Sequence, residues 1–346
     1  MPLVTEYAGV KEVYQAASER GIALPVFCAE DRETLEAILA AALEYGREIG
    51  VADLPIVPAW TVRYPSRGQM TLVSACGDPR LGVRLMFSDL AAFMSEDSPY
   101  RALRVLPHLD HGFPWLDWDI MTEYADQFAS IMCDASERPF EENIRLTATY
   151  TEQVRGRVVV EGAVDEIYES GGGERNEPTT VAQAQRFLRE TGVDIIVPNV
   201  GTEHRATADQ VNYRSDRARE ISAAIGPIMC LHGTSSVKPA DLPRLPADGF
   251  VKINIYTTLA VHGGQAVVRR VLQSLPEIFT RDQLDELVRE GLLSESWVHR
   301  EVDGKAAAKP RLATVANPPR RDAWFRAVAD RCKDFLTVFN YAAFAR

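Results

Sequence analysis

Three of the six histidines in this 346-residue chain come at or just after apolar runs that have the length of buried strands. His111 lies in the stretch His108–Gly112, which we expect to be the loop after a strand at 103–106, and His204 and His232 follow two later runs. The carboxyl ends of parallel strands meet at one edge of a barrel, where side chains from several strands converge. Three neutral imidazoles with an open fourth position are the ligand set of a catalytic zinc, a Lewis acid for a carbonyl oxygen. The pattern predicts a metal site made of these three residues, here called the strand-end histidines.

Carboxyl groups that could transfer protons accompany the strand-end histidines. Asp110 adjoins His111, and Glu174 lies in a glycine-rich segment, 169–175, that follows the predicted fifth strand. Both can reach the carbonyl that a metal would polarise, and can act there as general acid or base. The glycine-rich segment lacks the Gly-Lys-Ser/Thr ending of a P-loop, so it does not predict a Walker-type phosphate site.

The composition indicates a folded protein with a large core, because 46% of the residues are hydrophobic. Basic residues number 38 against 49 acidic ones, and no stretch combines Lys and Arg with aromatic residues, so we expect no nucleic-acid partner. Residues 1–17 fit neither a signal peptide nor a membrane span, so we predict a cytoplasmic protein with no membrane association. The five cysteines form no CxxC pair, and Cys28, Cys133 and Cys230 are expected to be small buried packing residues.

The order of the predicted elements favours a TIM (β/α)8 barrel. Apolar runs of strand length begin near residues 24, 56, 103, 129, 158, 195, 228 and 250, and each precedes a helix or helix-like segment. An open doubly wound sheet is the alternative, disfavoured because no Gly-x-Gly-x-x-Gly follows the first strand. We expect Asp31 and Thr180 to cap helix starts, and Gly192 to follow a helix end.

The predicted domain division places the barrel and its catalytic site in residues 1–275. Residues 276–346 form a C-terminal extension, in which the helical spacing of 322–339 predicts a last helix that packs on the barrel or on a partner subunit. The segment 65–82 is expected to be an insertion that contains a short strand-like piece at 70–74.

A series of motifs in this chain resembles the class II (metal-dependent) fructose-bisphosphate aldolase family. The matching stretches, in the order of the family, are HLDHG at 108–112, SIMCDAS at 130–136, PFEENI at 139–144, VVVEG at 158–162, GGGER at 171–175, TGVDIIVPNVGTEH at 191–204, LHGTS at 231–235 and VKINIYT at 251–257. Several consecutive motifs in one order are far more specific than any single motif.

The resemblance implies a reversible aldol cleavage and condensation between a ketose-type enediolate donor, similar to dihydroxyacetone phosphate, and an aldehyde. It implies that the strand-end histidines hold Zn²⁺ or another divalent ion. Asp110 then matches the aspartate that handles the proton of the hydroxyl being cleaved, and Glu174 the loop glutamate that moves a proton at the donor carbon. Asn254 matches the asparagine that orients the enediolate. The resemblance also implies a homodimer or larger homo-oligomer that acts in carbohydrate metabolism. His108, Asp134 and Glu161 are interpreted as supporting polar groups.

The departures from the family pattern lie in the motifs that surround the donor's phosphate. Arg205 replaces a glycine after the second ligand, and Thr234 and Ser236 stand in a motif that is usually His-Gly-Gly-Ser-Gly. The last strand ends Asn-Ile-Tyr-Thr instead of Asn-Ile-Asp-Thr, which puts Tyr256 in place of an aspartate. The second-strand motif with its phosphate-contacting serine is replaced by the sequence Ala-Trp-Thr-Val at 59–62.

These changes suggest a divergent member whose donor is altered or is held differently, with the Arg205 guanidinium as a candidate partner for an anionic group. The alternative for Arg205 is a solvated loop cation or a salt bridge to Glu203 or Asp209. The predicted substrate-binding residues are Gly201, Arg205, Gly233, Thr234, Ser235, Tyr256 and Thr257.

Two other functions remain open from the sequence. The same metal centre could serve a metal-dependent epimerase or hydrolase that acts on a sugar phosphate. The altered motifs also allow a degenerate barrel that binds a ligand without catalysis. In each enzymatic alternative the partner is a small sugar or sugar-phosphate-like molecule.

Overall fold

Eight parallel strands form a closed barrel at the centre of the structure, a computed structural model that describes residues 3–29, 31–65, 67–166, 177–203, 213–302 and 319–346, together with 304, 305, 309, 311 and 314. The barrel strands are β1 (Leu24–Cys28), β2 (Pro55–Trp60), β4 (His108–Gly112), β5 (Ser130–Cys133), β6 (Val159–Ala163), β7 (Ile195–Val197), β8 (Met229–Leu231) and β9 (Phe250–Ile255). Each pairs with the next in parallel, and β1 pairs with both β2 and β9, which closes the ring. The predicted TIM barrel is confirmed.

Every residue of the eight barrel strands is buried. Because both faces of each strand are covered, the strand sequences are mostly continuous apolar runs and not alternating patterns. The described helices are α1 (Tyr7–Glu19), α2 (Arg32–Ile49), α3 (Gln69–Leu72), α4 (Pro79–Phe93), α5 (Trp118–Glu123), α6 (Phe140–Gln153), α7 (Val181–Thr191), α8 (Ser215–Ile225), α9 (Thr257–Ile278), α10 (Arg281–Arg289), α11 (Glu295–Glu301) and α12 (Pro319–Val338). None of the described helices is long and apolar enough to cross a membrane.

The expected helix caps are present. The Asp31 side chain accepts the Thr34 N–H at 2.9 Å at the start of α2. Thr180 and Gln183 form a capping box at the start of α7, and Gly192 ends this helix with a left-handed φ of 68°. The three cysteines predicted to be buried lie in β1, β5 and β8 with at most 1% of their surface exposed.

Two local predictions are wrong. The stretch His108–Gly112 is not a loop after a strand but the barrel strand β4 itself, while the run at 103–106 contains only the two-residue strand β3 (Arg104–Val105) beside the start of β2. Pro107, which has no N–H, separates the two strands. The strand-like piece at 70–74 begins as the short helix α3, whose Met70 carbonyl lies so close to Gly82 of α4 that a Cβ there would clash with it.

The C-terminal segment contributes to the core of the barrel. Val328, Cys332 and Leu336 of α12 are fully buried in the same hydrophobic cluster as the strands, and the Trp324 indole N–H donates to Thr34 Oγ1 at 2.8 Å. Helices α10 and α11 enclose a smaller separate cluster around Leu284. The domain division after residue 275 stays a prediction, and helix α9 runs across it.

Candidate active site

A distortion at the end of β4 brings two consecutive side chains to the same place. Residues of a regular strand alternate between its faces, so Asp110 and His111 should point in opposite directions. The pairing of β4 with β5 shifts between Leu109 and Gly112, and His111 has a left-handed φ of 49°. This irregular strand end turns both side chains toward the carboxyl ends of the barrel strands.

These side chains line a recess at the carboxyl-terminal end of the barrel. Nine of the predicted site residues are among those that line it, from β4, the loop after β8, and the end of β9: Asp110, His111, His232, Gly233, Thr234, Ser235, Asn254, Tyr256 and Thr257. Three further lining residues, Cys28, Tyr64 and Arg67, come from the end of β1 and the loop after β2. The recess therefore combines candidate metal ligands, a carboxylate and hydrogen-bonding groups from five segments of the chain.

The other four predicted site residues are not among the described residues that line the recess. Glu174, His204 and Arg205 lie outside the described residues. Gly201 follows β7 with a φ of 82° and donates its N–H to Asn199 Oδ1 at 2.9 Å, and it is not among the described residues that line the recess.

His111 and His232 are oriented as metal ligands usually are. The Nδ1 atom of His111 lies 2.6 Å from Asp134 Oδ2, and the Nε2 atom of His232 lies 3.1 Å from Glu161 Oε1. A carboxylate that accepts the N–H of one ring nitrogen places the lone pair on the opposite nitrogen, Nε2 in His111 and Nδ1 in His232. Ligand atoms of Asp110 and both imidazoles lie within 4.8 Å of one another. The donor set therefore fits a divalent ion.

The charges around these imidazoles are tightly coupled. Burial lowers the pKa of His111, but the carboxylates of Asp110 and Asp134 outweigh it and raise that pKa above its usual value. Burial would raise the pKa of Asp134, and the hydrogen bond from His111 holds it below its usual value. A divalent ion competes with the proton for a ligand imidazole, and the same carboxylates stabilise either cation.

Asp110 is held from both of its oxygens. Asn254 Nδ2 donates to Oδ1 at 2.8 Å, and the Arg67 guanidinium lies 2.6 Å from Oδ2. Burial would raise the pKa of Asp110, but the charges of His111 and Arg67 keep it well below its usual range. The group predicted to handle a proton is therefore an ionised, buried carboxylate with a fixed orientation.

The loop after β8 closes tightly over the neighbouring strand ends. Gly233 has a φ of 72°, and a Cβ at this position would lie 2.7–2.9 Å from backbone atoms of Glu203, so glycine is required. The Thr234 hydroxyl donates to the Asn254 carbonyl oxygen at 2.6 Å, which joins this loop to the end of β9. Helix α9 begins at Thr257, so its first N–H groups lie at the rim of the recess.

Comparison with known proteins assigns the family. The sequence model described as "Fructose-bisphosphate aldolase class-II" matches residues 8–302. The chain belongs to the class II fructose-bisphosphate aldolase family. It is thus a class II aldolase, a carbon–carbon lyase with a small-molecule substrate, in a family that is generally metal-dependent. The fructose-bisphosphate aldolase of Staphylococcus epidermidis is 27% identical over 290 residues, which cover 81% of this chain and 89% of that protein.

Solved structures agree with the barrel fold. The crystal structure of fructose-bisphosphate aldolase from Campylobacter jejuni superimposes with a TM-score of 0.70 at 17% identity, over 98% of this chain and 95% of that one. The YdjI aldolase from Escherichia coli K12 gives a TM-score of 0.62 at 20% identity, over 96% and 97% of the two chains.

Two charged residues of this aldolase site are absent from the sequence-based prediction. Lys252 is fully buried in β9, and its Nζ lies 2.5 Å from Glu161 Oε2. A lysine within an otherwise uncharged, buried strand was a signal that could have revealed it. Arg67 lies in the segment interpreted as an insertion, and no pattern in the sequence links it to Asp110.

Proposed function

We propose that the chain is a zinc-dependent aldolase that reversibly joins a ketose-type donor, dihydroxyacetone phosphate or a related molecule, to an aldehyde. The observation that carries this proposal is the convergence of two strand-end histidines, each bonded to its own buried carboxylate, with Asp110 and Asn254 in one recess. An aldol reaction needs this combination, because the broken bond leaves an electron pair on the donor while a proton leaves the hydroxyl of the other fragment.

The strand-end histidines would hold the ion, His111 through Nε2 and His232 through Nδ1, with His204 as the proposed third ligand. When bound, zinc or another divalent ion supplies a Lewis acid for the carbonyl oxygen of the donor. Asp134 and Glu161 fix the ring orientation of the two described ligands.

Asp110 is the proposed proton acceptor in cleavage. As an ionised carboxylate, it can take the proton from the hydroxyl on the carbon that becomes the aldehyde, and return it in the condensation direction. Glu174 is the proposed group for the proton at the donor carbon. The Asn254 amide holds the Asp110 carboxylate and is the proposed group that orients the donor.

The rim of the recess supports an anionic end on the donor. The N-terminus of α9 carries N–H groups at Thr257 and Thr258, and the positive end of a helix dipole favours an anion. Gly233, Thr234 and Ser235 face the same rim, while Gly201 and Arg205 are further proposed contacts. Because Thr234 and Tyr256 replace smaller or acidic family residues here, we infer that this end of the donor is altered or bound differently.

The test is product analysis with the zinc-loaded protein on a panel of ketose phosphates. We expect an aldehyde fragment, loss of activity with a chelator, and recovery when zinc is restored. His232→Ala should abolish cleavage, whereas His299→Ala, which changes an exposed imidazole on α11, should leave it intact. An epimerised ketose with no aldehyde would favour the epimerase, and a chelator-insensitive protein that contains no divalent metal would refute the proposal.

Assembly and location also remain proposals. From the family we infer a homodimer or a larger homo-oligomer in the cytoplasm, to be tested by light scattering of the purified protein and by cell fractionation.

A further inference from the structure

We propose that Arg67 is a positioning residue, which orients the carboxylate of Asp110 for the aldol step. Tyr256 keeps the Arg67 guanidinium in place for this task. The inference rests on the proposed aldolase function. It adds a residue that the family motifs do not contain and connects two departures from those motifs that lie far apart in the sequence.

The contact between Arg67 and Asp110 is buried and direct. Only 6% of Arg67 is exposed, and its Nη2 lies 2.6 Å from Asp110 Oδ2. Asn254 Nδ2 donates to the other carboxylate oxygen at 2.8 Å. The Cys28 thiol also donates to Oδ2, at 3.6 Å. With donors on both oxygens, the carboxylate is fixed in rotation as well as in position, so its lone pairs have one orientation toward the recess.

The guanidinium is itself held in place by aromatic rings. It lies 4.2 Å from the ring centroid of Tyr256, at the end of β9, and 5.5 Å from that of Tyr64. An aromatic face stabilises a guanidinium but has no carboxylate that could form a salt bridge with it. The aspartate that Tyr256 replaces in the family pattern would compete with Asp110 for Arg67, so the tyrosine favours the pairing with Asp110.

The backbone of the same loop is anchored to the end of β2. The Thr61 hydroxyl donates to the Arg67 carbonyl oxygen, and the Thr61 N–H donates to Gln69 Oε1 at 2.7 Å. Thr61 belongs to the 59–62 segment that replaces the family's phosphate-contacting motif. The two departures therefore meet at one residue: Thr61 binds the backbone carbonyl of Arg67, and Tyr256 contacts its guanidinium.

A positioning role for Asp110 affects only part of the reaction. Removal of a proton from the donor carbon does not involve the hydroxyl that Asp110 serves, whereas cleavage and condensation do. If Arg67 acts through Asp110, its loss slows the carbon–carbon step and spares the donor half-reaction.

The experiment compares Arg67→Met with wild type and with Arg63→Met, all loaded with zinc. Arg63 is a matched control because it lies in the same loop but pairs with Asp117, outside the recess. Cleavage is measured on the ketose phosphate that wild type cleaves fastest. The donor half-reaction is measured as hydrogen–deuterium exchange of dihydroxyacetone phosphate by NMR. We expect a fall of about 10- to 100-fold in kcat for cleavage by Arg67→Met, with donor exchange and zinc content within about twofold of wild type.

A second variant separates positioning from folding. Arg67→Ala leaves space for a free guanidinium ion, so added guanidinium chloride at millimolar concentration should restore part of the cleavage activity. The same salt should not accelerate wild type or Arg63→Met. Equal losses of cleavage and exchange in Arg67→Met, or no rescue of Arg67→Ala, would overturn the inference.

A structural measurement needs no substrate and remains decisive if wild type proves not to be an aldolase. In a crystal structure of zinc-loaded Arg67→Met, the Asp110 carboxylate should leave its wild-type position, and in Arg63→Met it should keep it. An Asp110 that does not move in Arg67→Met would refute the positioning role. Absence of both cleavage and exchange in wild type would instead refute the proposed function.

Discussion

Lys252 lies inside the barrel with no exposed surface, and its ammonium group is surrounded by partners. Nζ lies 2.5 Å from Glu161 Oε2 and 2.9 Å from His108 Nε2. Burial lowers the pKa of Lys252, but the charge of Glu161 outweighs it and raises that pKa. The same ion pair holds the pKa of Glu161 below its usual range against burial. Glu161 is therefore an anion that can accept the His232 N–H. Through Glu161, the buried lysine supports the candidate metal ligand His232.

The pH dependence of folding should report the state of His108. Burial, followed by the charge of Lys252, lowers the pKa of His108 to about 3, from 6.5 in an unfolded chain. The unfolded chain binds more protons between these values, so stability contributed by neutral His108 is present above pH 6.5 and is lost as the pH falls toward 3. We expect the free energy of unfolding of wild type to fall on acidification more steeply than that of His108→Gln, by up to about 1.4 kcal/mol per pH unit.

The measurement is urea unfolding of zinc-free protein at several pH values below 6.5. Glutamine does not titrate but can still accept a hydrogen bond from Lys252. His299→Gln, on the surface of α11, serves as the control and should follow wild type. Parallel curves for wild type and His108→Gln would mean that His108 is not a buried neutral imidazole.

Individual elements differ in how far their sequences predict them. The strand β9 and the helices α2 and α7 follow from apolar periodicity and capping residues, all of which are local signals. The irregular end of β4 does not, because a left-handed φ at His111 is set by its pairing with β5 and by its contact with Asp134. The position of Arg67 depends on Tyr256, far away in the sequence, so no local pattern could predict their contact.

Helices α9 and α12 pack closely because α9 has a glycine at the contact. A Cβ on Gly263 would lie 2.6–2.9 Å from the ring of Trp324, whereas one on Gly264 would meet nothing within 4 Å. Gly263→Ala should therefore destabilise the protein by about 1–3 kcal/mol, because the buried indole must shift. Gly264→Ala should stabilise it by as much as about 1 kcal/mol, through helix propensity alone.

This pair of variants tests the contact by urea unfolding under one set of conditions. The substitution is the same, and the two positions are adjacent in the same helix, so the difference in free energy isolates the contact with α12. Similar effects of the two alanines would show that α12 does not pack on α9 in this way.

On the scale of the whole molecule, the barrel assembles the site from distant parts of the chain. Asp110 and Asn254, which share a hydrogen bond, are separated by 144 positions in the sequence. Their convergence could be predicted, because side chains at the carboxyl ends of barrel strands share one face. Asp134 and Glu161 are expected as supporting groups, but the histidine that each one holds does not follow from the sequence. The contacts of Lys252 and Arg67 do not follow either, since side-chain packing around the barrel axis decides which charges meet.

A site that joins β4 and β8 should couple zinc binding to the stability of the whole barrel. A ligand that binds only the folded state raises the free energy of unfolding, by about 2.7 kcal/mol at a free concentration of 100 times Kd. We therefore expect Tm to rise by several degrees when zinc is added to chelator-treated protein, and His232→Ala to lose this rise.

Asp134→Asn, which removes the carboxylate on His111, should bind zinc about 10- to 100-fold more weakly and show a smaller rise. Asp126→Asn, which alters an exposed pair with Arg157, should respond like wild type. Calorimetry of the four proteins decides this, and an equal rise in His232→Ala and wild type would place the zinc elsewhere.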